Sequence, residues 1–194
     1  MRSALICIIW LGLIIGLLPV SVRAETATIG DAEEYRPNRY GVGLLVGRAY
    51  DPERFGMVIL QGQMLVDYDR IFWHDAPAQL YLKFEANAGI TTDGRDKGLA
   101  AVNMLALYYF SKPVQRHWTP YIEAGVGLIY TGFRVEGQGL HFNFNPQAGV
   151  GVEFRRGHEQ NWTIALRMHH LSNGNLYRDN RGVNSAFLML GYMF

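Results

Sequence analysis

Two stretches near the end of the chain decide the fold: WTIALRMHHLSN (162–173) and NSAFLMLGYMF (184–194). In both, nearly every second residue along one face is apolar. Alternate side chains of a β-strand share a face, so each stretch is predicted to form a strand with an apolar stripe. His170 and Ser172 continue the stripe of the first strand with the same parity. An imidazole and a hydroxyl are therefore expected at one end of an apolar face.

Earlier segments show the same short alternating pattern between turn signals. The predicted strands span residues 40–47, 57–68, 80–90, 99–110, 119–130, 141–154, 162–171 and 184–194. An apolar stripe on alternate residues is what a barrel wall presents to lipid. The chain is predicted to be all-β, with residues 40–194 forming an eight-stranded antiparallel up-and-down transmembrane β-barrel.

A soluble lipocalin-like barrel is the alternative with the same number of strands. It would turn its apolar faces inward, and it usually needs a covering helix or a disulfide, neither of which the sequence indicates. The chain ends instead on Phe194 with alternating apolar residues before it. A terminal aromatic of this kind is typical of the insertion signal of outer-membrane barrels, so the membrane barrel is favoured.

The N-terminal 24 residues are expected to be a secretory signal peptide, since a basic residue precedes an apolar run that ends in small residues. Residues 25–39 form a polar lead. Cys7, the one cysteine, lies in the expected signal peptide, whose removal leaves 16 basic and 17 acidic residues. Thiol nucleophiles and thiolate metal sites are therefore not expected in the mature chain, and this charge balance does not resemble a nucleic-acid-binding protein. The expected location is the outer membrane of a Gram-negative cell.

The predicted strands contain charged residues, among them Glu85, Glu123, Glu153 and Arg167. The interior of an eight-stranded barrel is just wide enough to be filled by side chains. Buried charges are tolerated when they are paired. We expect these residues to form a polar network in the barrel lumen.

His170 and Ser172 have the pattern of a base and a nucleophile. Cα atoms two apart on a strand are separated by roughly 6.5 Å, so the imidazole can reach the hydroxyl. An adjacent imidazole activates a serine hydroxyl for acyl transfer, and a third group orients the imidazole. Asn184, at the start of the last strand, is predicted to face outward and could accept a hydrogen bond from His170. Asn173 carries an NH2 group suited to an oxyanion hole.

The segments His170-Leu171-Ser172-Asn173 and Gly182-Val183-Asn184-Ser185 resemble the PagL family of outer-membrane lipid A 3-O-deacylases. The resemblance implies that Ser172 is the nucleophile, His170 the general base and Asn173 an oxyanion donor. It implies lipid A of lipopolysaccharide in the outer membrane as substrate, with no metal and no cofactor. It also implies that two copies could pair as a homodimer.

The resemblance is incomplete at Asn184, where the best-known members of the family carry Glu. An amide can fix the tautomer of the imidazole but stabilises imidazolium less well than a carboxylate does. Asp179 is the carboxylate in the same loop that could take the role if the loop folds back. We expect a slower enzyme or one with altered substrate preference, with an inactive protein as the other possibility.

Arg178 and Arg181 lie in the loop between the last two strands and are predicted to bind phosphates of lipid A, because a guanidinium matches phosphate oxygens. Two other functions stay open at this point. One is a non-catalytic barrel that binds lipopolysaccharide or another protein, which the absence of Glu at position 184 favours. The other is a small channel, which would need an open polar lumen.

Overall fold

The structure is a computed structural model that describes residues 38–72, 76–94, 97–111, 117–156 and 160–194. The expected signal peptide, 1–24, and residues 25–37 of the polar lead lie outside the described residues. The strands are β1 (Arg39–Asp51), β2 (Phe55–Asp67), β3 (Leu80–Thr91), β4 (Gly98–Tyr109), β5 (Trp118–Thr131), β6 (Phe142–Phe144), β7 (Gln147–Arg156), β8 (Gln160–Leu171) and β9 (Val183–Met193). A 3-10 turn, Tyr68–Arg70, follows β2.

The strands close into a barrel because the last strand pairs with the first. Each neighbouring pair is antiparallel, β9 pairs with β1, and β4 pairs with β5. This confirms the predicted eight-stranded antiparallel barrel. The sixth strand, however, is not the uninterrupted segment 141–154 that the sequence predicted. It is divided into β6 and β7 around Pro146, whose ring nitrogen has no hydrogen to donate to the ladder.

The outer wall of the barrel is apolar. Large side chains that alternate along the strands point away from the lumen, including Leu60, Val102 and Leu166, each at least 60% exposed. The inward positions carry many buried polar side chains. This arrangement is the reverse of a soluble barrel and fits a wall that faces lipid. Among the described residues, no helix has the length and apolar character needed to cross a membrane.

A neutral ion network fills the middle of the lumen. Arg167 bridges two carboxylates, with its Nη2 3.0 Å from Glu85 Oε1 and its Nε 2.8 Å from Glu123 Oε1. Lys83, which is not among the lumen residues expected from the sequence, lies 3.0 Å from Glu123 Oε2 and 3.2 Å from Glu85 Oε1. The charges of these two cations and two anions therefore cancel, and all four side chains are buried. These buried side chains bridge β3, β5 and β8 across the lumen.

The fourth expected lumen residue, Glu153, lies nearer to the end of the barrel where β1 begins and β9 ends. Its Oε1 accepts a hydrogen bond from Arg39 Nη2 at 2.9 Å, and its Oε2 accepts one from the Tyr109 hydroxyl. This second pairing keeps the buried carboxylate satisfied. The four lumen residues expected from the sequence are all buried.

Apolar side chains close the opposite end of the barrel, which we call the motif end because the His-Leu-Ser-Asn motif lies there. Phe55 and Phe133 meet edge to face with ring centroids 4.9 Å apart. Leu171 and Val183 belong to the same buried apolar cluster, at 3% and 0% exposure. Because neighbouring side chains on a strand point to opposite faces, burying these two residues directs the adjacent motif side chains outward.

Candidate active site

His170 and Ser172 lie at the motif end of β8, on the outer side of the wall. Both are half-buried, whereas Leu171 between them is buried in the lumen. The backbone of Ser172 is held by β6, since its N–H donates to Phe144 O at 3.1 Å and its carbonyl accepts from Phe144 N at 2.8 Å. The His170 N–H donates to Pro146 O at 2.9 Å. The short strand β6 therefore fixes the direction of the motif.

The His170 imidazole is bonded to Asn184 on the neighbouring strand. The two residues are directly opposite in the β8 and β9 pairing, and Nδ1 lies 2.6 Å from Asn184 Oδ1. An amide oxygen only accepts, so the proton of this hydrogen bond belongs to Nδ1. The neutral ring then carries its lone pair on Nε2, which is the form that can take a proton from a hydroxyl.

A carboxylate that sequence reasoning missed lies behind Asn184. The Asn184 Nδ2 donates to Asp51 Oδ2 at 2.9 Å, and Arg181 Nη2 lies 3.3 Å from Asp51 Oδ1. Asp51 ends β1, which pairs with β9 in the closed barrel. The available signal was closure itself, because a first strand that pairs with the last brings its far end beside the start of that last strand.

Asn173 is only 1% exposed and holds the loop between β8 and β9. Its backbone N–H donates to Asn180 Oδ1 at 2.8 Å, and its side-chain NH2 donates to the Asp179 carbonyl at 2.9 Å. Its Oδ1 accepts from the Asn175 N–H at 3.0 Å. One N–H of the amide is therefore engaged within the loop, and the second is the hydrogen that could serve an oxyanion.

The same loop is tied to the loop that follows β5. Gly139 N–H donates to the Asp179 carbonyl at 2.8 Å, and Arg181 N–H donates to the Gly137 carbonyl at 2.9 Å. Asp179 is exposed, and the contact to Gly139 uses its backbone carbonyl. The carboxylate bonded to Asn184 is thus Asp51 of β1 and not Asp179 of the loop.

Gly182 provides the space that the imidazole occupies. A Cβ atom built on Gly182 would lie 2.5 Å from Cε1 and 3.1 Å from Nε2 of His170. The ring therefore rests directly against the backbone at position 182. A larger residue there would compete with the imidazole for the same volume.

The two arginines predicted to bind phosphate differ in their surroundings. Arg181 is engaged with Asp51, at 54% side-chain exposure. Arg178 is exposed and has no hydrogen bond or ion pair to any residue that the structure describes. Within the described ranges, no three His, Cys, Asp or Glu side chains come together in a way that could hold a metal ion.

A closed eight-stranded barrel with an apolar outer wall and a polar site at one rim of that wall defines a small outer-membrane β-barrel with an outward-facing site. Its sequence gives the family. A family model described as lipid A 3-O-deacylase (PagL) matches residues 62–193, and the chain belongs to this family. The fold and the family indicate the outer membrane of a Gram-negative cell.

Solved structures agree with this assignment. The crystal structure of the outer membrane enzyme PagL matches with a TM-score of 0.57 and 25% sequence identity, covering 78% of this chain and 97% of that chain. The crystal structure of Neisserial surface protein A (NspA) matches with a TM-score of 0.58 at 13% identity, covering 80% of this chain and 95% of that one. The second likeness shows the barrel fold alone. A search of curated proteins gave no match, and the homodimer stays a prediction that none of these matches supports.

Proposed function

We propose that the protein is a serine esterase that removes the ester-linked 3-hydroxyacyl chain from lipid A in the outer leaflet. The observation that carries the proposal is the 2.6 Å contact between His170 Nδ1 and Asn184 Oδ1 on the outer wall of the barrel. It supports an imidazole that donates from Nδ1, so that Nε2 is the nitrogen that can act as a base in the neutral ring. The family supplies the substrate, and the apolar wall beside the motif offers a surface for the acyl chains.

In the proposed reaction, Ser172 Oγ attacks the ester carbonyl while His170 Nε2 takes the hydroxyl proton. Asn184 holds the ring as it becomes imidazolium, and the second amide N–H of Asn173 binds the developing oxyanion. Collapse of this intermediate breaks the bond to the sugar oxygen, which receives the proton from His170. Water, deprotonated by the same imidazole, then hydrolyses the acyl-enzyme and releases a 3-hydroxy fatty acid. Arg178 and Arg181 are proposed to bind phosphates of lipid A.

The test is mass spectrometry of lipid A from cells that make the native protein or a variant. The native protein should yield lipid A that lacks one 3-hydroxyacyl chain, and Ser172→Ala and His170→Ala should leave lipid A intact. Ser185→Ala is the matched control, because this serine is 1% exposed and its buried hydroxyl has no hydrogen-bond partner among the described residues. It should deacylate like the native protein. Identical lipid A in all four strains would refute the proposal.

A further inference from the structure

Asn184 contacts two groups at once, and the second one extends the site beyond the motif. Its Oδ1 faces His170 Nδ1 at 2.6 Å, while its Nδ2 faces Asp51 Oδ2 at 2.9 Å. We propose that Asp51 is a positioning residue of the hydrolysis proposed above, acting on His170 through the amide of Asn184. The inference rests on that proposed function. Asp51 supplies, through the amide of Asn184, the carboxylate that the resembled enzymes carry at position 184.

The first effect of Asp51 is to fix the orientation of the Asn184 amide. The oxygen and the NH2 group of an amide are nearly equal in size, so the side chain can turn over without steric cost. A carboxylate only accepts hydrogen bonds, so Asp51 draws the NH2 group and leaves the oxygen toward His170. With the amide reversed, the NH2 group would donate to Nδ1 and the ring proton would lie on Nε2. That tautomer cannot accept the proton of Ser172.

The second effect is electrostatic. Asp51, Asn184 and His170 form a chain of hydrogen bonds, and each bond in such a chain polarises the next. The negative charge of Asp51 therefore favours the imidazolium that forms when His170 takes a proton. Arg181, 3.3 Å from Asp51 Oδ1, offsets part of this charge. Asp51 is also half exposed, so solvent screens it further and orientation is the larger of the two effects.

A β-bulge places Asp51 in this position. In the β1 and β9 pairing, Ala49 lies opposite Ser185, but the next paired residue is Asp51 opposite Asn184. Tyr50 is the extra residue of the bulge. In a regular pairing without the bulge, Tyr50 would lie opposite Asn184 and the Asp51 side chain would point to the other face. Bulges redirect side chains in this way and are frequent beside active sites.

The test is a cycle of variants at positions 51 and 184, with purified protein in detergent micelles, lipopolysaccharide as substrate and released 3-hydroxy fatty acid as readout. Asp51→Ala should lower kcat by about 10- to 100-fold, the range typical of outer groups that orient a functional side chain, with KM nearly unchanged. Asp51→Asn keeps an acceptor oxygen and should lose less. Asp93→Asn is the matched control. Its carboxylate accepts a hydrogen bond from the Gly56 N–H at 2.8 Å, and the substitution should leave kcat unaltered.

The decisive measurement is the combination with Asn184→Glu. The single variant sets a second carboxylate against Asp51, so it should gain no activity. The double variant Asp51→Ala, Asn184→Glu removes that repulsion and gives His170 a direct carboxylate partner. It should recover most of the kcat lost in Asp51→Ala. A merely structural role of Asp51 does not produce this rescue.

Two results would overturn the role of Asp51 while leaving the esterase intact. One is a kcat of Asp51→Ala equal to that of the native enzyme. The other is a double variant no faster than Asp51→Ala, with both proteins folded as judged by their mobility in unheated gels. Failure of the proposed function is distinguishable, since the folded native protein would then release no fatty acid and a fluorophosphonate would not label Ser172. That result would remove the role of Asp51 as well.

Discussion

Replacing Gly182 with alanine tests whether His170 acts as the base from its position against the backbone of residue 182. The new Cβ would lie 2.5 Å from His170 Cε1. Carbon atoms pack at roughly 3.5–4.0 Å, so the ring would have to withdraw by about 1 Å. Withdrawal disturbs the 2.6 Å contact with Asn184 and moves Nε2 away from the place from which it is proposed to take the Ser172 proton. A misplacement of about 1 Å costs on the order of 10²-fold in rate, which corresponds to about 2.7 kcal/mol of activation free energy.

The assay is release of 3-hydroxy fatty acid from lipopolysaccharide by purified Gly182→Ala, with kcat and KM measured separately. The loss should appear in kcat, because the substitution alters the base and not the lipid-facing wall. Gly98→Ala is the control. Its new Cβ would meet nothing closer than 4.0 Å, and the substitution should leave kcat within about twofold of the native value. A Gly182→Ala enzyme as fast as the native one would falsify the view that this imidazole is the catalytic base.

Two further substitutions probe the supports of the site. Arg167→Ala leaves Glu85 and Glu123 with less compensating charge in the lumen, and breaking a buried pair typically costs about 3–5 kcal/mol. Urea unfolding in micelles should show that loss, and an unfolding midpoint equal to that of the exposed-site control Arg48→Ala would contradict it. Asn173→Ala removes the side-chain bonds to the 173–180 loop as well as the proposed oxyanion donor. It should lower kcat and speed proteolysis of that loop, and unchanged proteolysis would mean that other contacts hold the loop.

The strands were predictable because a barrel wall in lipid imposes a strict two-residue period. Residues on β8 alternate between the apolar exterior and the polar lumen, and this alternation marks the strand in the sequence itself. It also predicted that His170 and Ser172 share the outer face. The alternation favours a continuous sixth strand, and the signal for its interruption is Pro146. Its missing N–H outweighed the alternation on either side.

The existence of a lumen network was predictable from the sequence, but the predicted set of residues lacked one member. Charged residues inside strands must pair when they are buried, so Glu85, Glu123 and Arg167 were expected to meet. Lys83 belongs to the same network, 3.0 Å from Glu123. Its parity on β3 matches that of Glu85, and the alternation rule would have assigned it to the lumen. A second cation was also needed to neutralise the two carboxylates of Glu85 and Glu123.

Asp51 was harder to find because two long-range features place it, and neither follows from local pattern. The charged segment after residue 47 has the composition of a loop, yet β1 continues to Asp51 because Ala49 is buried against the neighbouring strands. The bulge then shifts the pairing by one residue and brings Asp51 opposite Asn184. Closure of the barrel pairs the first strand with the last, so a substitution at position 184 can be compensated from position 51. Asn184, which lacks the carboxylate that the resembled family carries there, is therefore coupled in the fold to a carboxylate 133 residues away.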